Sequence, residues 1–192
     1  MKTVGVLSLQ GDFEAHGKAL ERVGARPVFV RDAAGLVGLD GLVIPGGEST
    51  TMLKLLSREE LLKPLLEFGR SKPVFGTCAG AILLASDVSH PRQDSLKLMD
   101  IKVERNAYGR QLDSRVARLE PERDFTARTG AGELEAVFIR APIIRETGAG
   151  VRVLARYQGD PVLVEQGNHL ASTFHPELTK DARVHQLFLS KL

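Results

Sequence analysis

The only cysteine in the chain, Cys78, lies in a run of small residues, Gly76-Thr77-Cys78-Ala79-Gly80. A strand is predicted before this run and a helix after it, and the G-x-nucleophile-x-G spacing is typical of a nucleophile elbow. At the start of a helix, the partial positive charge favours a thiolate over a thiol. The pattern predicts Cys78 as a nucleophile, with the N–H of Ala79 directed at an oxyanion. The alternative is a small cysteine buried in the core.

A nucleophilic thiol needs a base, and the chain has five histidines. His175 stands out because Pro176 and Glu177 follow it. In an extended segment, residues two apart project from the same face, so Glu177 could orient the ring while the other ring nitrogen faces the sulfur. The alternative is a solvent-exposed His-Pro turn beside an unrelated glutamate. His16 and His185 fall in helical patterns and are interpreted as packing or surface residues.

The segment Ile44–Thr50 supplies a second group of candidates. Its two glycines follow a predicted strand and leave backbone N–H groups uncovered, so one of them could be a second oxyanion donor beside Ala79. The plain alternative is a turn in which Glu48 and Ser49 cap the next helix. Both interpretations can hold together.

Arg105 and Arg140 lie in polar, glycine-containing or proline-containing surroundings. The planar guanidinium matches a carboxylate, so these residues could hold the α-carboxylate of an amino-acid substrate. The alternative is that both are solvated surface arginines.

The predicted elements that must position these residues differ between the two halves of the chain. In the first half, short apolar runs alternate with helical patterns, which favours a parallel sheet covered by helices. The second half is richer in short strands, with hairpin turns at "YQGDPV" and "EQGNHL" and a final helix predicted over residues 180–191. We therefore predict an α/β three-layer sandwich. It has a mainly parallel central sheet, helices on both faces and a mixed or antiparallel extension in the second half, all in a single domain spanning 1–192.

Composition narrows the possible partners. The chain has 26 Lys and Arg against 24 Asp and Glu, without a basic stripe interleaved with aromatic residues, so nucleic acid is not an expected partner. No apolar run reaches the roughly 18 residues of a membrane span, and the apolar start is too short for a signal peptide. One cysteine excludes an internal disulfide. We expect a cytoplasmic protein with no membrane partner, no metal and no cofactor.

Taken together, these strings resemble the class I (triad) glutamine amidotransferases. More closely, the chain resembles the glutaminase subunits of pyridoxal 5′-phosphate synthase complexes, which supply ammonia for vitamin B6 synthesis. The resemblance covers nearly the whole chain and rests on these strings: "GVLSLQGDFEAH", "GLVIPGGEST", "FGTCAGAILLA", "VERNAYGRQ", "FIRAP" and "FHPELTKDARVHQLFL".

The resemblance implies L-glutamine as substrate and a multimeric (β/α)₈-barrel synthase subunit as partner. It further implies that the free subunit is poorly active until it docks. The implied catalytic residues are Cys78 as nucleophile, His175 as base and Glu177 as its orienter, with Gly47 and Ala79 as the oxyanion hole. The implied glutamine-site residues are Gly47, Glu48, Ser49, Arg105, Ile139 through its backbone, and Arg140.

Two residues fit this pattern less directly. Gln10 could couple the oxyanion loop to partner docking. Arg115 stands soon after "GRQLDS", where the relatives lead us to expect an aromatic residue, so local packing there is open. Two other functions remain as alternatives. One is a stand-alone cysteine hydrolase or chaperone-like protein of the same sandwich class, which usually lacks the His-Pro-Glu ending. The other is a non-catalytic binding subunit.

Overall fold

The computed structural model describes residues 1–106 and 114–192. Its strands are β1 Thr3–Leu7, β2 Arg26–Val30, β3 Gly41–Ile44, β4 Val74–Thr77, β5 Ala85–Ser89, β6 Met99–Glu104, β7 Ser114–Leu119, β8 Leu134–Ile139, β9 Ile143–Thr147, β10 Arg152–Tyr157, β11 Asp160–Gln166 and β12 His169–Ser172. Its α-helices are α1 Phe13–Arg22, α2 Ser49–Arg58, α3 Leu62–Ser71, α4 Ala79–Leu84, α5 Arg123–Thr129 and α6 Arg183–Leu189.

The described part of the chain builds a central sheet in the order β10-β11-β12-β4-β3-β1-β2. Strands β12, β4, β3, β1 and β2 pair in parallel, whereas β10, β11 and β12 pair antiparallel through the two predicted hairpins. Two smaller sheets, β5-β6-β9 and β7-β8, come from the middle of the chain. This is the predicted mainly parallel sheet with an antiparallel extension, and the fold prediction is confirmed.

Side chains of the central strands alternate between two apolar cores, because successive residues of a strand point to opposite faces. Leu42 and Ile44 of β3 pack with α2, α3 and α4, whereas Val43 between them packs with α1, α5 and α6. Both faces of the sheet are therefore covered by helices. The edge at which β3, β4 and β12 end, with Ile44 paired to Gly76 and Ser172 to Thr77, stays available for a site.

Some elements differ from the predictions. The last helix is shorter than the predicted 180–191, since Thr179 and Asp181 make local turn hydrogen bonds before α6 begins. The helix predicted to open at Ala79 ends at Leu84, and β5 begins at Ala85. Helix α5 and strand β9 were not predicted at all. No helix within residues 1–106 and 114–192 has both the length and the apolar character needed to cross a membrane.

Candidate active site

Cys78 lies at the tip of the bend between β4 and α4. Its φ of +50° and ψ of −106° fall outside the regions that a non-glycine residue ordinarily occupies, so the backbone is strained at this residue. The Cys78 N–H donates to the carbonyl oxygen of Ser172 at 2.8 Å, which continues the pairing of β4 with β12 and fixes the bend. The geometry is that of a nucleophile elbow.

The two glycines of the motif make this bend possible by allowing backbone to approach backbone. A Cβ on Gly76 would collide with the carbonyl group of Gly80, and a Cβ on Gly80 would collide with the carbonyl oxygen of Ile44. The first turn of α4 is thereby packed against the ends of β3 and β4. Small residues on both sides of Cys78 are therefore required by packing.

His175 and Glu177 lie side by side, but not through the extended geometry that we expected. Strand β12 ends at Ser172, and Pro176 begins a short 3-10 turn over Pro176–Leu178, because proline suits the first position of a helical turn. The turn still brings the two side chains together, with Nδ1 of His175 at 2.6 Å from Oε1 of Glu177. The expectation of an extended segment was wrong, whereas the expected pairing is present.

The His175 residue is 8% exposed, so the alternative of a solvent-exposed His-Pro turn is wrong. Burial by itself lowers the pKa of His175, but interactions with Cys78 and Glu177 outweigh it and raise that pKa to about 10. Glu177 is 5% exposed, and burial raises its pKa, but His16 and His175 outweigh burial and lower it. The pair is therefore favoured as an imidazolium beside a carboxylate.

Cys78 and His175 meet across Gly46. A Cβ on Gly46 would come within 3.3 Å of the Cys78 Cβ and 3.2 Å of the His175 Nδ1, so both side chains contact the same glycine. The Cys78 sulfur lies 3.9 Å from the carbonyl oxygen of Ile139. Since Nδ1 of His175 is held by Glu177, Nε2 is the ring nitrogen left for the sulfur.

A cavity of about 390 Å³ opens at this point, within the size range of small-molecule sites. Most of the predicted site residues line it: Gly47, Glu48, Ser49, Cys78, Arg105, Ile139, Arg140 and His175. Gln10 and Leu178 line it as well, and Leu178 is 42% exposed. Glu177 and Ala79 do not line it, because Glu177 is buried behind the His175 ring and Ala79 is buried at the start of α4.

One wall of the cavity is held together by Glu48 and Arg105. The Glu48 carboxylate accepts hydrogen bonds from the N–H groups of Thr50 and Thr51 at 2.9 Å and 2.8 Å, so it caps α2. Burial raises the pKa of Glu48, but the hydrogen bonds from Thr51 and Thr50 together outweigh it and lower that pKa to about 2. Arg105 Nη2 donates to Oε1 of Glu48 at 3.3 Å and to the Thr50 hydroxyl at 2.9 Å. The capping alternative for Glu48 is therefore present together with its place in the cavity.

The glycine loop before α2 is tied to the end of β1. Gly47 has a φ of +141°, and a Cβ there would collide with the Gln10 side-chain amide. The N–H of Glu48 donates to Oε1 of Gln10 at 3.2 Å. The Ser49 hydroxyl donates to Oε1 of Gln93 at 3.1 Å. Gln10 thus fixes the orientation of the loop that carries the predicted oxyanion donor.

Some predicted features lie elsewhere. Residues 107–113, which include most of the "RNAYGRQ" string, are outside the described residues. Arg115 donates to the Tyr157 hydroxyl at 3.2 Å, away from the cavity lining. In the two described ranges, no group of three or more Cys, His, Asp or Glu side chains is placed to hold a metal.

Sequence reasoning missed the polar role of His16, which is fully buried with Nε2 at 3.3 Å from Oε2 of Glu177. It also missed Thr77, whose hydroxyl lies 3.1 Å from the same nitrogen. The available signal was a histidine on the otherwise apolar face of the first helix, where a polar ring requires a polar partner.

The chain is similar to known proteins over nearly its whole length. The family model described as the SNO glutamine amidotransferase family matches residues 6–192. A protein of Solibacter usitatus named pyridoxal 5′-phosphate synthase subunit PdxT is 69% identical over 192 residues, all of both chains. A Koribacter versatilis protein of the same name is 54% identical over 97% of this chain and 93% of its own.

A solved structure is similar to this chain in fold and in sequence. The crystal structure of a glutamine amidotransferase superposes with a TM-score of 0.88 at 48% identity, covering 98% of this chain and 97% of its own. The match extends over sequence, fold and length, and the chain therefore belongs to the SNO glutamine amidotransferase family.

Proposed function

We propose that the chain hydrolyses L-glutamine to glutamate and ammonia through Cys78, His175 and Glu177. We further propose that it passes the ammonia to a synthase subunit that makes pyridoxal 5′-phosphate. The observation that carries the proposal is the 2.6 Å contact between Nδ1 of His175 and Glu177, behind a cysteine on a strained elbow. The names of the relatives support the choice of pathway.

The first half of the reaction forms a thioester. The Cys78 thiolate attacks the side-chain amide carbon of glutamine, and a carbon–sulfur bond forms while the amide oxygen becomes an oxyanion. The N–H groups of Gly47 and Ala79 are the proposed donors to that oxyanion. Nε2 of His175 protonates the amide nitrogen, the carbon–nitrogen bond breaks, and ammonia leaves.

The second half restores the enzyme. His175, now neutral, takes a proton from water as the water oxygen attacks the thioester carbon. The carbon–sulfur bond breaks, glutamate leaves, and the Cys78 thiolate again faces a protonated His175. Glu177 stabilises the imidazolium in this state and orients the ring throughout.

The cavity wall suits the rest of the substrate. Arg105 and Arg140 supply positive charge for the α-carboxylate, and Glu48, ionised at neutral pH, supplies negative charge for the α-ammonium group. Ser49 and the backbone of Ile139 add polar groups along the same wall. One cavity with charges of both signs fits a zwitterionic amino acid whose side-chain amide points at Cys78.

Ammonia released into water would mostly become ammonium and lose its nucleophilicity, so delivery to a docked synthase is part of the proposal. The contact between Gln10 and the Gly47–Glu48 backbone supports a loop whose orientation depends on docking. A (β/α)₈-barrel form for the partner, many copies of each subunit, a cytoplasmic setting and a single domain over 1–192 remain predictions.

The test is glutamine hydrolysis by the wild-type chain, with a candidate synthase subunit added or withheld. We expect release of glutamate to rise when the synthase is added. Cys78→Ala should lose measurable turnover while it still folds and docks, because the nucleophile is gone and only a small side chain is removed.

Two outcomes would reject the proposal. Hydrolysis of glutamine by Cys78→Ala at the wild-type rate would remove Cys78 from the reaction. Hydrolysis of esters or peptides by the wild type, with glutamine ignored even in the presence of synthase, would favour the stand-alone cysteine hydrolase.

A further inference from the structure

A chain of buried imidazole rings continues from Glu177 into the core on the side away from the cavity. His16, on α1, is 0% exposed and places Nε2 at 3.3 Å from Oε2 of Glu177. The same nitrogen lies 3.1 Å from the hydroxyl of Thr77, the residue before Cys78. Nδ1 of His16 lies 3.2 Å from Nε2 of His185, on α6.

These contacts determine which ring nitrogens carry hydrogen. An ionised carboxylate has no hydrogen to donate, so the His16 Nε2 that faces it must be the donor. In a neutral ring Nδ1 of His16 is then an acceptor, and it receives the hydrogen on Nε2 of His185. This leaves a lone pair on Nδ1 of His185, which has no hydrogen-bond partner within residues 1–106 and 114–192. Unpaired buried backbone N–H groups are rarer in folded proteins than under-satisfied carbonyl acceptors, and this arrangement leaves only an acceptor unpaired, so it is self-consistent.

We propose that His16 is a positioning residue for glutamine hydrolysis, which rests on the function proposed above. Its Nε2 lies against both Oε2 of Glu177, at 3.3 Å, and the Thr77 hydroxyl, at 3.1 Å. By holding the second carboxylate oxygen, His16 keeps the first one directed at Nδ1 of His175. By holding Thr77, it ties that orientation to the backbone that enters the elbow.

The surroundings of His16 agree with a neutral donor. Burial lowers its pKa, Glu177 and Asp12 raise it, and His175 lowers it further, so the net direction is downward. Burial and His16 also lower the pKa of His185, while Glu177 raises it and Arg22 lowers it. Both rings are therefore favoured uncharged, and the imidazolium of the cluster is at His175.

If His16 only filled apolar space, Oε2 of Glu177 would have no N–H group near it. Oε2 of Glu177 is buried and makes no hydrogen bond of ordinary geometry in the described ranges, so its contact with Nε2 of His16 at 3.3 Å is what places an N–H near it. Without the His16 N–H, one oxygen of a buried carboxylate would face apolar groups, which disfavours the ionised form. Loss of the His16 N–H should therefore affect glutamine hydrolysis as well as the stability of the fold.

The experiment compares His16→Leu, His16→Gln and the control His169→Asn as full chains in complex with the synthase subunit. Leucine removes the donor, while glutamine places an amide N–H near the position of Nε2. His169 lies in β12 and does not line the active-site cavity; its Nδ1 accepts from the Val74 N–H at 3.2 Å, and its ring also bonds the Gly69 backbone. The readouts are kcat and KM for glutamine over a range of pH.

We expect His16→Leu to lower kcat by about 10- to 100-fold, the loss of one hydrogen bond to a charged group, with KM within about twofold of wild type. Its acid limb should move to higher pH, because the pKa of Glu177 rises when a donor is removed. His16→Gln should recover most of kcat, and His169→Asn should match wild type. A folded His16→Leu with wild-type kcat and pH profile, or a His16→Gln as impaired as His16→Leu, would overturn the inference.

A second measurement covers the case in which His16→Leu does not fold. Nitrogen-15 NMR of the histidine rings in the wild-type chain should find His16 neutral with hydrogen on Nε2. A charged His16, or one with hydrogen only on Nδ1, would overturn the inference. Wild-type and Cys78→Ala assays decide the proposed function separately, so an active wild type, an inactive Cys78→Ala and an unaffected His16→Leu would reject this inference alone.

Discussion

At the scale of single residues, contacts with Cys78 and Glu177 distinguish His175 from an ordinary buried histidine. Cys78 and Glu177 both raise the pKa of His175, and Glu177→Gln keeps the size of the side chain while it removes the second of these charges. We expect kcat for glutamine to fall by roughly 10³- to 10⁴-fold, as for other triads that lose the charge of their orienting acid. Steady-state assays with the synthase present measure it.

The control for this variant is its fold, checked by circular dichroism and by retained docking to the synthase. If a folded, docked Glu177→Gln enzyme kept kcat within about tenfold of wild type, the carboxylate would not be the orienter. Covalent labelling of Cys78 by a glutamine-mimicking electrophile would then show whether the thiol depends on the pair at all.

The proposed triad was predictable because its members stand in recognisable local patterns: a cysteine between small residues, and a histidine two residues before a glutamate. His16 was not predictable in its polar role. Its partners Glu177 and His185 lie at the other end of the chain, and only the packing of α1 against the Pro176–Leu178 turn and α6 unites them. Helical periodicity placed His16 on an inward face but could not say what it would meet there.

At the scale of elements, the elbow depends on how closely α4 approaches the end of β3. An alanine in a helix ordinarily stabilises relative to glycine by about 1 kcal/mol. At Gly80 the added Cβ would meet the carbonyl oxygen of Ile44, which belongs to a buried strand and cannot move away easily. We therefore expect Gly80→Ala to lower the free energy of unfolding by about 1 to 3 kcal/mol, since overpacking outweighs propensity.

Gly150→Ala is the matched control. Its φ is not positive, and the nearest atom to an added Cβ is the far end of the Gln166 side chain at 3.4 Å. This variant should be neutral or slightly stabilised, by up to about 1 kcal/mol. Urea denaturation measures the free energy of unfolding of both variants. A Gly80→Ala protein as stable as Gly150→Ala would show that α4 is not held tightly against β3.

Elements with a clear hydrophobic periodicity were predictable from the sequence. Short elements that mix charged and apolar residues were not. Helix α5 has only seven residues and begins with charged ones, so it shows little of the hydrophobic periodicity that indicates a helix at α1. Strand β9 carries Arg145 and Glu146 at adjacent positions and pairs with β6 by tertiary contact. The Pro176–Leu178 turn is too short for any period.

At the scale of the whole molecule, an ion cluster joins parts that are far apart in sequence. Glu165, in β11, has a side chain only 7% exposed and lies 2.5 Å from Nζ of Lys191 near the C-terminus. It also lies 2.8 Å from Arg128 in α5 and 3.5 Å from Arg152 in β10. One buried carboxylate thus connects the antiparallel extension to the helices that cover it.

The matched exposed pair is Arg118 with Glu133, at 3.5 Å and with both side chains more than half exposed. Glu165→Gln removes the counter-charge of Lys191, whose side chain is 9% exposed, while Arg128 and Arg152 keep their contacts with Asp124. We expect it to lower the free energy of unfolding by about 2 to 4 kcal/mol. Glu133→Gln should change it by less than about 1 kcal/mol, because water already screens that pair.

The contribution of Glu165 to the free energy of unfolding depends on pH with a definite sign. Burial raises the pKa of Glu165, but Arg128 and Lys191 outweigh burial and lower it from 4.5. Its contribution to stability is therefore complete above pH 4.5 and is lost as the pH falls through the lower, folded-state pKa. The difference between wild type and Glu165→Gln in urea denaturation should be large at pH 7 and should shrink below pH 4.5.

The same experiment tests the prediction of a single domain over 1–192. Because the cluster ties distant segments into one packed unit, wild type and Glu165→Gln should each unfold in one transition that coincides by circular dichroism and by tyrosine fluorescence. Equal, small effects of the Glu165 and Glu133 substitutions would show that the cluster does not join the segments energetically. A transition that separates into two steps in wild type would instead show that the antiparallel extension unfolds on its own, and the single-domain prediction would be wrong.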